Sequence, residues 1–262
     1  MNWKNVIGLL AMSILFSACI AHTKSESGEK NDSTTYSQQD NESLIHSVKS
    51  DEIAKVKQLL LSGANPNMVG KNGLTPLMIA ALKGNREMLL ILLEYGADTN
   101  VKTTEGSTVI MKAVESGHLE IVKELLQHNA DPHIQQKDGR TALHYAIEGD
   151  KIEIVRALLS KEVDINLSNN WGETPLMIAV RRDAEIVKWL IANKADINAK
   201  DYTGQTALIR AIGGSNEIIK LLIAQGADVN AKDNDQWTAL KQALLIGCRE
   251  TIELLEKAGA QE

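Results

Sequence analysis

Apolar positions in this chain recur on two nested scales. Within residues 141–166, TALHYAIEGDKIEIVRALLSKEVDIN, Leu143, Ala146 and Ile147 share one helical face, and after the polar break EGD so do Ile154, Val155, Leu158 and Leu159. The pattern predicts two short antiparallel helices. On the longer scale, Thr75, Thr108, Thr141, Thr174, Thr206 and Thr238 stand 33, 33, 33, 32 and 32 residues apart. Two residues after each threonine comes Leu77, Ile110, Leu143, Leu176, Leu208 or Leu240, and five after it Ala80, Ala113, Ala146, Ala179, Ala211 or Ala243. One helix start is therefore built again and again, and TPLMIA recurs unchanged at 75–80 and 174–179.

Each threonine is placed to cap its helix, its hydroxyl accepting from an orphan backbone N–H. Pro76 and Pro175 follow at the first helical position, where no N–H is needed. A second landmark, GAN at Gly63 and GAD at Gly96 and Gly226, with variants at Asn129, Glu162, Lys194 and Gly259, marks seven units. Between each landmark and the next threonine lies a polar, turn-rich excursion of about a dozen residues, which reads as a hairpin-like finger.

A unit of 33 residues with a TPLH-x-A start, two helices and a GADVN exit resembles the ankyrin repeat, and GADVNAKD at 226–233 is close to that family's consensus. The resemblance covers 42–262, with repeats starting near 42, 75, 108, 141, 174, 206 and 238. It implies an all-α, right-handed solenoid of seven helix pairs with projecting fingers. The family histidine survives only as His144, with Met78, Met111, Met177, Ile209 and Lys241 elsewhere, so apolar packing is expected to replace the Thr–His link in most units. Glu162 and Lys194 stand where glycine takes a left-handed conformation, at a cost of roughly 1 kcal/mol each. The repeats at Thr174 and Thr206 lack one residue before Glu185 and Glu217, which makes the later middle of the stack its expected soft segment. Glu256 gives the last unit a polar outer face, and the first unit lacks a finger and opens at Asn41, Glu42 and Ser43. Both ends read as caps, and the domain as complete and monomeric.

Residues 1–18 read as a signal peptide: MNWKN carries one lysine and VIGLLAMSILF is apolar but for a glycine and a serine. Ser17, Ala18 and Cys19 resemble the lipobox of bacterial lipoproteins, with Phe16 in place of the usual leucine. The resemblance implies that Cys19 is lipidated, with palmitate among its acyl chains, and becomes the first mature residue. Ile20 after it implies sorting to an outer membrane, facing the periplasm. Cleavage after Ala21, giving a soluble periplasmic or secreted protein, and an uncleaved anchor are the alternatives. The apolar run is short of the roughly 20 residues a spanning helix needs. Residues 19–41 read as the lipidated cysteine and a flexible linker. Its polar stretch 20–41 spans about 25 Å on average and roughly 75 Å at full extension.

Aromatic residues are only 3% of the chain, which suits thin stacked layers better than one large core. The net charge of −6, with both signs scattered, offers no basic stripe for nucleic acid. Cys248 is the only cysteine besides Cys19, so the mature chain has no disulfide framework, and in a turn between helices it reads as a small residue of no chemical role. His128, Asp131 and His133 could be drawn as a partial metal site, but His128 suits a helix C-terminus and His133 a finger. No nucleophile elbow, phosphate loop or cofactor motif is found. The chain is read as a non-enzyme; an enzyme or small-ligand protein on the same frame would require a convergent cluster of ionisable groups.

Protein binding is the role the resemblance implies, here as an exported, membrane-tethered accessory or inhibitory partner of another envelope or secreted protein. Aligned on their threonines, three successive fingers place Trp171, Tyr202 and Trp237 at their tips, with Arg140 on the finger before. Nine aromatic residues serve the whole chain, so three where no core can bury them predict a binding edge from Arg140 to Trp237.

Overall fold

The computed structural model describes residues 33–70, 73–161 and 163–261. Its elements are seven helix pairs among the described residues: α1 (Ser33–Lys49) with α2 (Ile53–Leu61), α3 (Pro76–Lys83) with α4 (Arg86–Glu94), α5 (Val109–Ser116) with α6 (Leu119–Gln127), and α7 (Ala142–Glu148) with α8 (Ile152–Leu159). They continue as α9 (Pro175–Ala179) with α10 (Ala184–Ala192), α11 (Ala207–Ala211) with α12 (Asn216–Ala224), and α13 (Ala239–Ile246) with α14 (Arg249–Lys257). From α3 to α13 each first helix packs on the first helix of the next pair, which makes this part of the chain a stack. The expected signal peptide, Cys19 and residues 20–32 lie outside the described residues. Helix α1 begins at Ser33, inside the stretch read as linker. Its inner end is pinned by buried Leu44, Ile45 and Val48, and each residue added upstream of a formed helix gains a hydrogen bond without a new nucleus.

The leucine or isoleucine two places after each threonine and the alanine five after it are essentially all buried, since the threonine sets the register of the helix face turned to the stack. Thr75, Thr174, Thr206 and Thr238 accept from the N–H three residues on, at 3.1 to 3.4 Å. At Thr141 the His144 ring completes a capping box, Nδ1 accepting the Thr141 N–H at 3.1 Å and Nε2 reaching the Glu173 carbonyl at 3.3 Å. Met177 fills the same place with sulfur, 3.5 Å from the Thr174 nitrogen. The Thr108 hydroxyl is buried without a partner. The missing residue in the fifth and sixth repeats shortens the first helix: α9 and α11 have five residues, where the others after α1 have seven or eight.

The exit landmark divides its work residue by residue. Gly63, Gly96, Asn129, Lys194, Gly226 and Gly259 all have positive φ, Lys194 at +70°, while the Glu162 expectation falls outside the described residues. The alanine is buried at 64, 97, 130, 195 and 227 and half-buried at 260. The next side chain, Asn65, Asp98, Asp131, Asp164, Asp196 or Asp228, accepts the N–H two residues on at 2.8 to 3.0 Å and so sets the turn. The asparagine after that ties repeats together. The side-chain oxygens of Asn67, Asn100, Asn166, Asn198 and Asn230 accept a backbone N–H from the following repeat at 2.6 to 2.8 Å. Asn41 supplies the first such rung from α1, accepting the Asn65 N–H at 2.8 Å.

Candidate functional site

Each finger is a tight turn closed by a hydrogen bond from residue i to the carbonyl of i+4, as from Asn169 to Glu173 at 3.0 Å and from Asp201 to Gln205 at 3.0 Å. Successive fingers are then bonded through their backbones: Lys137 to Glu105, Asn170 to Asp138, Tyr202 to Trp171 and Asn234 to Thr203, all at 2.9 to 3.1 Å. The fingers therefore form one stiff row. Its spacing leaves no room for a side chain at Gly139, Gly172 or Gly204. A Cβ on Gly139 would lie 2.6 Å from the Asn170 nitrogen, and one on Gly172 2.8 Å from that of Tyr202.

On this row the four predicted residues have different surroundings. Trp171 is 52% exposed and Tyr202 71% exposed, and the Tyr202 N–H to Trp171 carbonyl bond joins their backbones, so the two residues are neighbours on adjacent fingers. Trp237 is half-buried, with the Lys241 ammonium 4.7 Å from its ring centroid. Arg140, at the start of the predicted edge, is engaged within the chain. Its Nη2 pairs with Glu148 at 3.2 Å, its Nε lies 3.7 Å from an Asp138 oxygen, and its guanidinium stands 5.4 Å from the centroid of Trp171 and 5.9 Å from that of Tyr145. The reason is the turn of α7, which brings Glu148 and Tyr145 onto the face below the finger. Nε itself is buried with no hydrogen-bond partner. Arg140 thus supports Trp171 from beneath rather than reaching outward.

Beside this edge runs an ion-pair network that sequence spacing did not reveal. Arg210 on α11 pairs with Asp201 at 2.7 Å and, across repeats, with Glu173 at 2.7 Å; the Asn169 amide donates to Glu173 at 2.7 Å. Burial raises the Glu173 carboxyl, but the Asn169 amide and the Arg210 guanidinium more than offset it, leaving it below the usual carboxylate range. Asp201 is likewise held low: burial works against it, and Thr203, Arg210 and the Gln205 N–H overcome that. Burial pushes the Glu148 carboxyl up, against the pull of Arg140. Burial brings His144 down to about 4. These charges are paired with one another and lock fingers to helices. The histidines read as a partial metal site face local partners: His128 Nδ1 meets the Glu124 carbonyl at 2.8 Å and His133 Nδ1 meets Asp131 at 3.0 Å. No group of three or more metal-binding side chains occurs among the described residues, and no helix among them is long and apolar enough to cross a membrane.

A sheetless stack of helix pairs, with a backbone-bonded finger row presenting aromatic side chains, is a scaffold of the protein-interaction class. The family model described as Ankyrin repeats (3 copies) matches residues 44–136, 111–201 and 183–261. The chain belongs to the ankyrin-repeat family. Among solved structures, the ankyrin repeat domain of Bcl-3, a member of the IkappaB protein family, is 27% identical with a TM-score of 0.74, over 81% of this chain and 97% of that one. No curated protein matches.

The last repeat departs from the expected polar cap. Glu256 is exposed as foreseen, yet Leu244, Leu245 and Ile246 at the end of α13 are also exposed. Leu244 stands in the column of Ala81, Val114, Ile147, Val180 and Ile212, which a following repeat covers elsewhere in the stack.

Proposed function

We propose that this chain is an exported, membrane-tethered protein-binding module that acts as an accessory or inhibitory partner of another envelope or secreted protein. The observation that carries the binding part is the Trp171 and Tyr202 pair, large apolar rings exposed on fingers whose backbone is already fixed. Such a surface loses little conformational entropy on binding and buries much apolar area. Trp237 and Arg140 flank it as supports. The tether is proposed from the FSAC stretch behind an apolar run of signal length, with Cys19 as the acylated residue and the periplasmic face of an outer membrane as the location.

The test is capture by the tagged mature chain from an envelope extract. A stable stoichiometric protein supports the proposal, whereas a copurifying small molecule or substrate turnover by the isolated chain contradicts it. Cys19→Ser should abolish incorporation of labelled fatty acid, and continued labelling would refute the anchor.

A further inference from the structure

A second surface lies on the other side of the first helices, at their turn toward the second. Seven residues after each threonine stand Leu82, Glu115, Glu148, Arg181, Gly213 and Leu245, so the column ends as a cation, a gap and an apolar side chain. The structure makes these three contiguous. Because α11 stops at Ala211, its turn is closed by Gly213 and Gly214; a Cβ on Gly214 would lie 4.0 Å from the Val180 carbonyl, and one on Gly213 would lie 3.6 Å from Ile246 Cδ1. The sixth repeat thus contributes no side chain at this place in the row, and Ile246 lies along the edge of the gap. On one side stand Arg181 and Arg182, and on the other Leu245 and Ile246, which are 74% and 57% exposed. Arg249 follows at the start of α14.

Most charges around the gap are paired, and Glu253 is exposed one turn after Arg249 on α14. Arg182 pairs with Asp150 at 3.3 Å, Lys188 with Glu217 at 2.7 Å and Lys220 with Glu250 at 3.2 Å. The Asp183 carboxylate caps α10, accepting from Glu185 and Ile186. Arg181 and Arg249 make no ion pair among the described residues and are exposed. Two unpaired cations therefore bracket an uncovered apolar strip with a side-chain-sized gap in it. A second copy is a poor occupant, since three side chains fall far short of the roughly 800 Å² per partner of a stable interface.

We propose that this gap binds a short acidic segment of a protein partner, an apolar side chain seating over Gly213 against Leu245 and Ile246 while flanking carboxylates meet Arg181 and Arg249. From Arg181 to Leu245 is two helix spacings, about 20 Å, a span that about six extended residues cover. The site is separate from the finger edge, so each can be tested while the other is intact.

The test uses the mature chain and a fluorescent peptide of alternating Glu and Leu, beside the same peptide with Lys for Glu. Binding of the acidic peptide, at least tenfold weaker in Arg181→Glu/Arg249→Glu and in Leu245→Ser/Ile246→Ser and unaltered in Trp171→Ala, is the expected result. Equal binding of the Lys peptide, no binding of either, or unchanged affinity in the first two variants would overturn the proposal. So would pelleting with anionic vesicles in the absence of peptide binding, or self-association abolished by Leu245→Ser/Ile246→Ser, because either assigns the strip to another occupant.

Discussion

Five of the six finger turns carry a glycine at positive φ, and the sixth carries Gln236 at φ +63°. The difference follows from what stands next. A Cβ on Gly204 would lie 2.6 Å from Asn234 Oδ1 and 2.8 Å from the Asn234 nitrogen, whereas no further finger stands beyond Gln236 among the described residues. Glycine is thus required twice at 204, for backbone angle and for space, and once at 236. Gln236→Gly removes about 1 to 2 kcal/mol of left-handed strain and returns about 0.5 to 1 kcal/mol as unfolded-chain entropy, a net gain of about 0.5 to 1 kcal/mol. Gly204→Ala reverses that balance and adds about 1 to 3 kcal/mol for the clash. It also loses much of the 2.9 Å bond from Asn234 to Thr203, so the total is a loss of about 2 to 4 kcal/mol. Urea unfolding of the two single variants measures both. A Gly204→Ala cost no larger in size than the Gln236→Gly gain would refute the close-approach reasoning, and destabilisation by Gln236→Gly would refute the strain.

Other expectations follow from single groups. His144 is held neutral, with a folded value of about 4 against 6.5 unfolded, so its contribution is fully present above about 6.5 and lost as pH falls through about 4. The difference amounts to about 3 kcal/mol, and His144→Met, which copies the residue at 177, should flatten that part of the stability profile; an unchanged profile would contradict it. Lys194→Gly should stabilise by about 0.5 to 1 kcal/mol and slow exchange of the Ala195 amide, which donates to Leu190 at 3.0 Å. Faster exchange there would show that α10 ends on other interactions.

The stack was legible in the sequence because its signals are periodic: threonine caps, apolar columns and the exit landmark each recur in place, and each recurrence reinforces the others. The asparagine rungs were equally visible at Asn67, Asn100, Asn166, Asn198 and Asn230, but a polar column carries no burial signal, so its bonding showed only in three dimensions. His133 stands in that column and breaks it once. The exposure of Trp171 and Tyr202 followed from finger spacing. The engagement of Arg140 did not, because Glu148 and Tyr145 reach it from a helix whose rotation about the finger no sequence count supplies. The bare strip at Leu244–Ile246 was hidden for a related reason. Leu244 matches the apolar column of Ala81, Val114, Ile147, Val180 and Ile212, whereas Leu245 and Ile246 follow columns that are mostly charged, polar or glycine. Their exposure depends on what packs over them among the described residues, which no sequence count supplies.

The central claim is that the finger row binds protein through Trp171 and Tyr202. It is tested most directly by the affinity of Trp171→Ala/Tyr202→Ala for the captured partner, measured beside the thermal midpoint of the same variant. The account predicts a loss of at least about 2 kcal/mol, roughly thirtyfold in Kd, with the midpoint nearly unchanged since both rings lie outside the core. Equal affinity would contradict it, and so would a large fall in midpoint, which would make the rings struts of the row instead of its contact surface.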